Sequence, residues 1–236
     1  MARWDTVRVD GRSMRVYLDI PSGAGEVPAV IVIQHGAGVD KFVEDRVERL
    51  ARRGYLAAAP DLYHRQPPDG DMMTRIGRLR DEEVIADVNA TLGHIQRLGE
   101  VQVGKVGITG FCMGGRVTYL MAVSNPTAFK AAGVFYGGNI MAPWGEGPSP
   151  FDLTKNIACP VIGFFGLEDK NPSPEDVKKI SEELHRFGKA HEFHSYDGAG
   201  HAFLNFLNPS VYREEPARDA WEKCLAFLDK HLKTGA

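Results

Sequence analysis

GITGFCMGGRVTYLM, residues 107–121, changes character at its centre. A β-branched segment ends in Gly110-Phe111-Cys112-Met113-Gly114-Gly115, and an apolar stretch with helical spacing follows. A strand that turns into a helix this sharply strains its central residue and brings strand and helix very close. Only small neighbours fit, and Gly110, Gly114 and Gly115 supply them. The apical side chain, Cys112, then stands above the sheet edge at a helix N-terminus. Free amides there favour an anion, so the thiol ionises more readily than in solution. The other cysteines, Cys159 before Pro160 and Cys224 within a helical pattern, read as buried core.

Outward from the bend, the chain alternates strand and helix. Residues 106–109 form the entering strand and 114–122 the departing helix. Upstream, 4–9 and 14–18 read as a hairpin, and Val30-Ile31-Val32-Ile33 is a short apolar run typical of a strand covered on both faces. An amphipathic helix over 43–53 closes at Gly54, and a strand over 55–59 stops at Pro60. Val84, Ile85, Val88, Leu92 and Ile95 give a helix over 81–98 its buried stripe. Downstream come strands at 132–135, 161–165 and 191–196, with helices at 174–187 and 217–233. No repeat or flexible linker interrupts the series. The pattern predicts one α/β domain over 1–236, with a mostly parallel sheet and helices on both faces.

Composition narrows the partners. Thirty-one acidic side chains against 28 Lys and Arg leave a net charge of −3, which offers nucleic acid no electrostatic footprint. No apolar run reaches the length of about 18 residues that a membrane span needs, and the opening residues lack a signal-peptide core. Three widely spaced cysteines suit the reducing cytoplasm better than a disulfide framework. His191-Glu192-Phe193-His194 has the wrong spacing for a helical zinc motif, and neither a P-loop nor a dinucleotide fingerprint occurs. A monomer or small homo-oligomer acting on a small molecule, without metal or cofactor, is expected. Arg75, Arg78 and Arg80 read as a solvated helix face, or as an attractor for an anionic substrate.

In parallel sheets, reactive groups belong in the loops beyond the strand C-terminal ends. Besides the Cys112 bend, two such loops carry chemistry: Gly166-Leu167-Glu168-Asp169 and Gly198-Ala199-Gly200-His201-Ala202-Phe203. Nucleophile, acid, histidine is the chain order of an α/β-hydrolase. Cys112 is then the nucleophile, His201 its base, and Asp169 the group that fixes the imidazole tautomer, with Glu168 as rival acid. An oxyanion hole needs backbone amides; those of Met113 and of Gly36, in Gln34-His35-Gly36-Ala37-Gly38, stand in the right loops. Trp144, Phe111, Phe203 and Phe206 are candidates for an apolar pocket, or for core.

These motifs resemble the dienelactone hydrolase family of α/β-hydrolases over nearly the whole chain. The likeness is carried by Gly110-Phe111-Cys112-Met113-Gly114-Gly115, by Pro60-Asp61-Leu62-Tyr63-His64-Arg65-Gln66, by the Asp169 loop and by Gly200-His201-Ala202-Phe203. The resemblance implies a Cys112–His201–Asp169 triad, no cofactor, and hydrolysis of a lactone or ester through a thioester acyl-enzyme. It also implies a pocket role for Tyr136. Two positions depart from the chloroaromatic-pathway members. His35 stands where they carry a glutamate that keeps the resting thiol neutral, and Asn205 where they carry an arginine that binds the dienelactone carboxylate. The departures predict a resting thiolate paired with imidazolium, and a substrate other than the dienelactone itself. A redox-responsive or binding protein with little turnover is the alternative from another class; a thioesterase or acyltransferase differs only in leaving group or acceptor.

Overall fold

The computed structural model describes residues 1–23 and 25–233; Ala24 and residues 234–236, the tail of the expected domain, lie outside the described residues. The chain opens with a hairpin, β1 (Arg3–Val9) and β2 (Arg12–Asp19). Asp10 and Gly11, both at positive φ, make the two-residue turn whose twist suits a hairpin. In β3 (Val27–Ile33) every residue is buried, and alternate side chains feed two cores. Ala29, Ile31 and Ile33 face one way, Val30 and Val32 the other. Each such aliphatic side chain removed from water contributes about 1.5–3 kcal/mol. This is why the run lacks polar alternation: neither face meets solvent.

Next come α1 (Lys41–Arg52), β4 (Leu56–Pro60), α2 (Met72–Gly77), α3 (Asp81–Arg97), β5 (Val101–Phe111) and α4 (Met113–Ser124). The chain ends with β6 (Ala131–Phe135), a 3₁₀ turn over Phe151–Asn156, β7 (Val161–Gly166), α5 (Pro174–Arg186), β8 (His191–Tyr196) and α6 (Glu214–Leu232). One eight-stranded sheet runs β1-β2-β4-β3-β5-β6-β7-β8, with β2 antiparallel to both neighbours and every pair from β4 onward parallel. Helices α3, α4 and α5 cover one face through Val88, Val117, Ile180 and their neighbours. Helices α1 and α6 cover the other through Val47, Leu50, Trp221 and Phe227. The fold is that of an α/β-hydrolase.

Boundaries differ from the sequence expectation where local signals are silent. Helix α1 starts at Lys41 because Asp40 accepts from the Phe42 and Val43 amides. Strand β5 reaches back to Val101, which pairs with Val27 before the register breaks. Helix α2 takes in Arg75, the first of the three arginines read as a solvated helix face, and ends before Arg78 and Arg80; it buries none of its residues, so no apolar periodicity announces it. No helix among the described residues is long and apolar enough to cross a membrane. His191 and His194 turn to separate partners, Ser181 and Glu192.

The parallel strands all point their C-terminal ends to one edge, and the bend at 110–115 is locked there by close backbone approach. A Cβ at Gly115 would stand 2.6 Å from the Phe135 carbonyl oxygen. Gly115→Ala is therefore expected to lower unfolding free energy by about 2–3 kcal/mol, read from urea denaturation.

Candidate active site

Cys112 alone joins β5 to α4. Its φ of 57° and ψ of −121° belong to a region that L side chains rarely occupy, a strain of about 1–3 kcal/mol that persists only when the surroundings over-determine it. They do so here. The Cys112 amide donates to the Phe135 carbonyl at 3.1 Å, and the Cys112 carbonyl accepts from the Gly115 amide at 2.9 Å. Gly114 lies so close beneath the Ile33 and Gln34 carbonyls that a Cβ would overlap them. The thiol stays partly exposed, in the wall of a cavity of about 430 Å³.

The loops after β7 and β8 deliver two more groups to this cavity. His201 Nδ1 lies 2.8 Å from Asp169 Oδ2, and the other Asp169 oxygen accepts from the Asn171 amide at 2.9 Å. The aspartate is buried and aimed; the ring it holds shares the cavity wall with Cys112. Of the two candidate acids, Asp169 is the one at the histidine, while Glu168 lies exposed at the cavity's side. Burial works against an imidazolium, but the bond from Asp169, followed by the interaction with Cys112, outweighs it and raises His201 well above its ordinary range. Burial likewise works against a thiolate. His201, then the Met113 and Gly36 amides, outweigh it and hold the Cys112 thiol below its usual value. The two shifts favour the same state, thiolate beside imidazolium.

The two expected oxyanion amides, Met113 and Gly36, are thus among the groups that favour the thiolate. Gly36 is fixed by a residue that sequence reading left without a role: the Tyr63 hydroxyl donates to the Gly36 carbonyl at 2.9 Å. The Gln34 side chain accepts from the Leu62 amide at 3.2 Å, so the loop after β4 braces the loop after β3. Trp144 lines the cavity, held by its amide on Asp81 Oδ2 at 3.0 Å. Its indole lies 3.9 Å from the guanidinium of Arg116, a fully buried side chain that also chelates Asp81 and bonds the Asn139 and Ala142 carbonyls. Arg116 was legible only as a lone charge in an apolar helix; its partner is 35 residues away.

Six pocket candidates lie outside the cavity lining, among them Phe111, which is fully buried core, and Phe206, which is exposed. His35 turns to Asp40, 2.9 Å away at the start of α1, and packs on Phe42. Phe203 is fully buried against Tyr136 and Tyr196, because Ala202 at φ 60° turns it inward. Asn205 folds its side chain onto the Leu207 amide. Tyr136 is buried beneath the His201 ring, with centroids 5.3 Å apart, and burial foremost keeps its phenol protonated. In their place α2 contributes Met72, Met73 and Ile76, which the sequence did not mark as pocket residues.

A strand-to-helix elbow bearing a thiol, with a carboxylate and a histidine arriving on later loops in that order, belongs to the α/β-hydrolase class. Within that class the chain belongs to the dienelactone hydrolase family, whose sequence model matches residues 14–232. A Synechocystis sp. protein described as "Putative carboxymethylenebutenolidase" is 38% identical over 92% of this chain and 92% of its own length. A Methylorubrum extorquens protein of the same description is 34% identical, covering 88% of this chain and 73% of the relative. The crystal structure of a Klebsiella pneumoniae "Putative Dienelactone Hydrolase" superposes with a TM-score of 0.89 at 32% identity, covering 98% of both chains.

Asp169→Asn removes the negative charge that raises His201, and with it part of the charge that holds the thiol low. Alkylation of Cys112 by iodoacetamide at pH 6.5 is expected to slow by roughly threefold to sevenfold, the effect of a rise of about one pKa unit on a thiol already substantially ionised, while the folded state persists by circular dichroism.

Proposed function

We propose that this protein hydrolyses carboxylic esters or lactones with Cys112 as nucleophile and a thioester acyl-enzyme as intermediate. The observation that carries this reading is the aligned series Asp169–His201–Cys112, with Asp169 2.8 Å from the ring and opposite proton-affinity shifts on ring and thiol. The Cys112 thiolate adds to the acyl carbonyl, and the Met113 and Gly36 amides take up the charge that develops on oxygen. Collapse expels the alkoxide, protonated by the His201 imidazolium; in a lactone that alcohol stays attached to the acyl group. His201 then removes a proton from water as it attacks the thioester, and the thiolate leaves. Asp169 holds the imidazole tautomer and stabilises its charged form. Amides are poor substrates on this scheme, since the thiolate leaves the tetrahedral intermediate more readily than an amine.

The family supports hydrolysis, and the relatives' description as carboxymethylenebutenolidases supports lactones among the substrates. Three free cysteines support a cytoplasmic setting. The same easily ionised thiol favours a second reading, a peroxide-responsive protein with little turnover.

An ester panel separates the two. Alcohol release from short-chain chromogenic esters, with a Cys112 acyl adduct seen by intact mass, supports the hydrolase; Cys112→Ala is expected to cut turnover by a factor on the order of 10⁴ or more. Peroxide-sensitive Cys112 without turnover of any ester or lactone refutes it.

The thiol's depressed value sets the foot of its titration low, and the raised His201 value keeps the ion pair intact as pH rises. Between pH 6.5 and 8.5 the alkylation rate of Cys112 is expected to change less than about threefold. An ordinary thiol of pKa about 8.5 would change about fiftyfold over that interval.

A further inference from the structure

The relatives' description denotes a butenolide that carries a carboxylate, yet the cavity beside Cys112 has no built receptor for one. One side of it is thioether, alkyl and indole, from Met72, Met73 and Ile76 of α2 with Met113 and Trp144, while Asn139, Glu168, Lys170 and Asn171 line the rest around the triad. No arginine stands among the described residues that line the cavity. The Arg75 guanidinium lies 4.0 Å from the Tyr63 ring centroid. Arg78 pairs with Asp69 at 2.9 Å, and Arg80 bonds the Gly77 and Leu79 carbonyls. Arg116, behind the Trp144 ring, is wholly buried and chelated by Asp81. Among the described lining residues the only Lys or Arg is Lys170, exposed and set in the same short loop as the exposed carboxylate of Glu168. A carboxylate carried into this cavity would lose its water without gaining a bidentate partner, a cost of several kcal/mol.

We propose that the substrate's acyl group is uncharged and apolar, and that the cavity formed by α2 and Trp144 discriminates against acyl chains ending in a carboxylate. This rests on the hydrolase reading above. Met72 ties the discrimination to the chemistry. A Cβ at Gly36 would stand 2.6 Å from Met72 Sδ and 3.0 Å from Ile76 Cδ1, so the apolar wall touches the loop that supplies the oxyanion amide.

The test compares p-nitrophenyl hexanoate with p-nitrophenyl hydrogen adipate, which differ by a terminal methyl against a carboxylate. The expected kcat/KM favours hexanoate by at least about 100-fold. Met73→Arg, at an exposed position of the lining, is expected to narrow the gap at least tenfold by raising adipate turnover. Lys170→Gln is expected to shift the ratio less than about threefold, because an exposed ammonium contributes little. Protection of Cys112 from iodoacetamide by 2-heptanone, and not by 6-oxoheptanoate, reads the same preference without turnover. Adipate cleaved within tenfold of hexanoate, or the two ketones protecting equally, would overturn the proposal. Turnover that survives Cys112→Ala would instead remove the nucleophile and leave the acyl preference standing on its own measurement.

Discussion

The contact between β5, α4 and their neighbours at Gly110, Gly114 and Gly115 is the constraint on which the rest depends. Backbone lies on backbone there, with no room for a methyl group. That proximity keeps Cys112 at φ 57° and sends its side chain out of the sheet edge, where solvent and substrate can reach it. The energy to hold a strained residue comes from two large cores on either side of one sheet, so the local cost is spread over many buried aliphatic contacts. Remove the close packing and the thiol relaxes into an ordinary helix cap.

Around this fixed point the loops are braced in pairs. The Tyr63 hydroxyl holds Gly36, the Asn171 amide holds Asp169, and Arg116 gathers the start of α3 and the Asn139–Trp144 segment onto α4, one turn past Cys112. The first joins the loops after β4 and β3, and the second stiffens the loop after β7. The third ties two helices to the segment after β6, so the groups at the edge are held together. Such preorganisation is what makes aligned dipoles effective toward a developing charge.

Much of this was legible in the amino-acid order. The continuous run at Val30–Ile33 and the alternation of strand and helix gave the architecture, because burial on both faces leaves a strong compositional mark. The elbow was visible because its glycines are needed for packing, and the meeting of Asp169 with His201 followed from their loops lying beyond parallel strands. Of the apolar cavity wall, Trp144 alone was anticipated as a pocket residue. Phe203 depends on the turn at Ala202, Asn205 on a local bond to Leu207, and His35 on Asp40, all settled by short-range geometry that composition does not encode. Met72 and Ile76 sit on a helix without an apolar stripe, and Arg116 finds Asp81 only after the chain has folded.

Helix α2 carries a longer-term consequence. It is fastened at its start by Asp71 and along its length by the Gln66 amide on the Arg75 carbonyl, yet it adds no buried residue to either core. Ile76 leans on the core, but Met72 and Met73 stand exposed at the cavity mouth. Substitutions at those two positions can reshape the entrance at little cost to the fold.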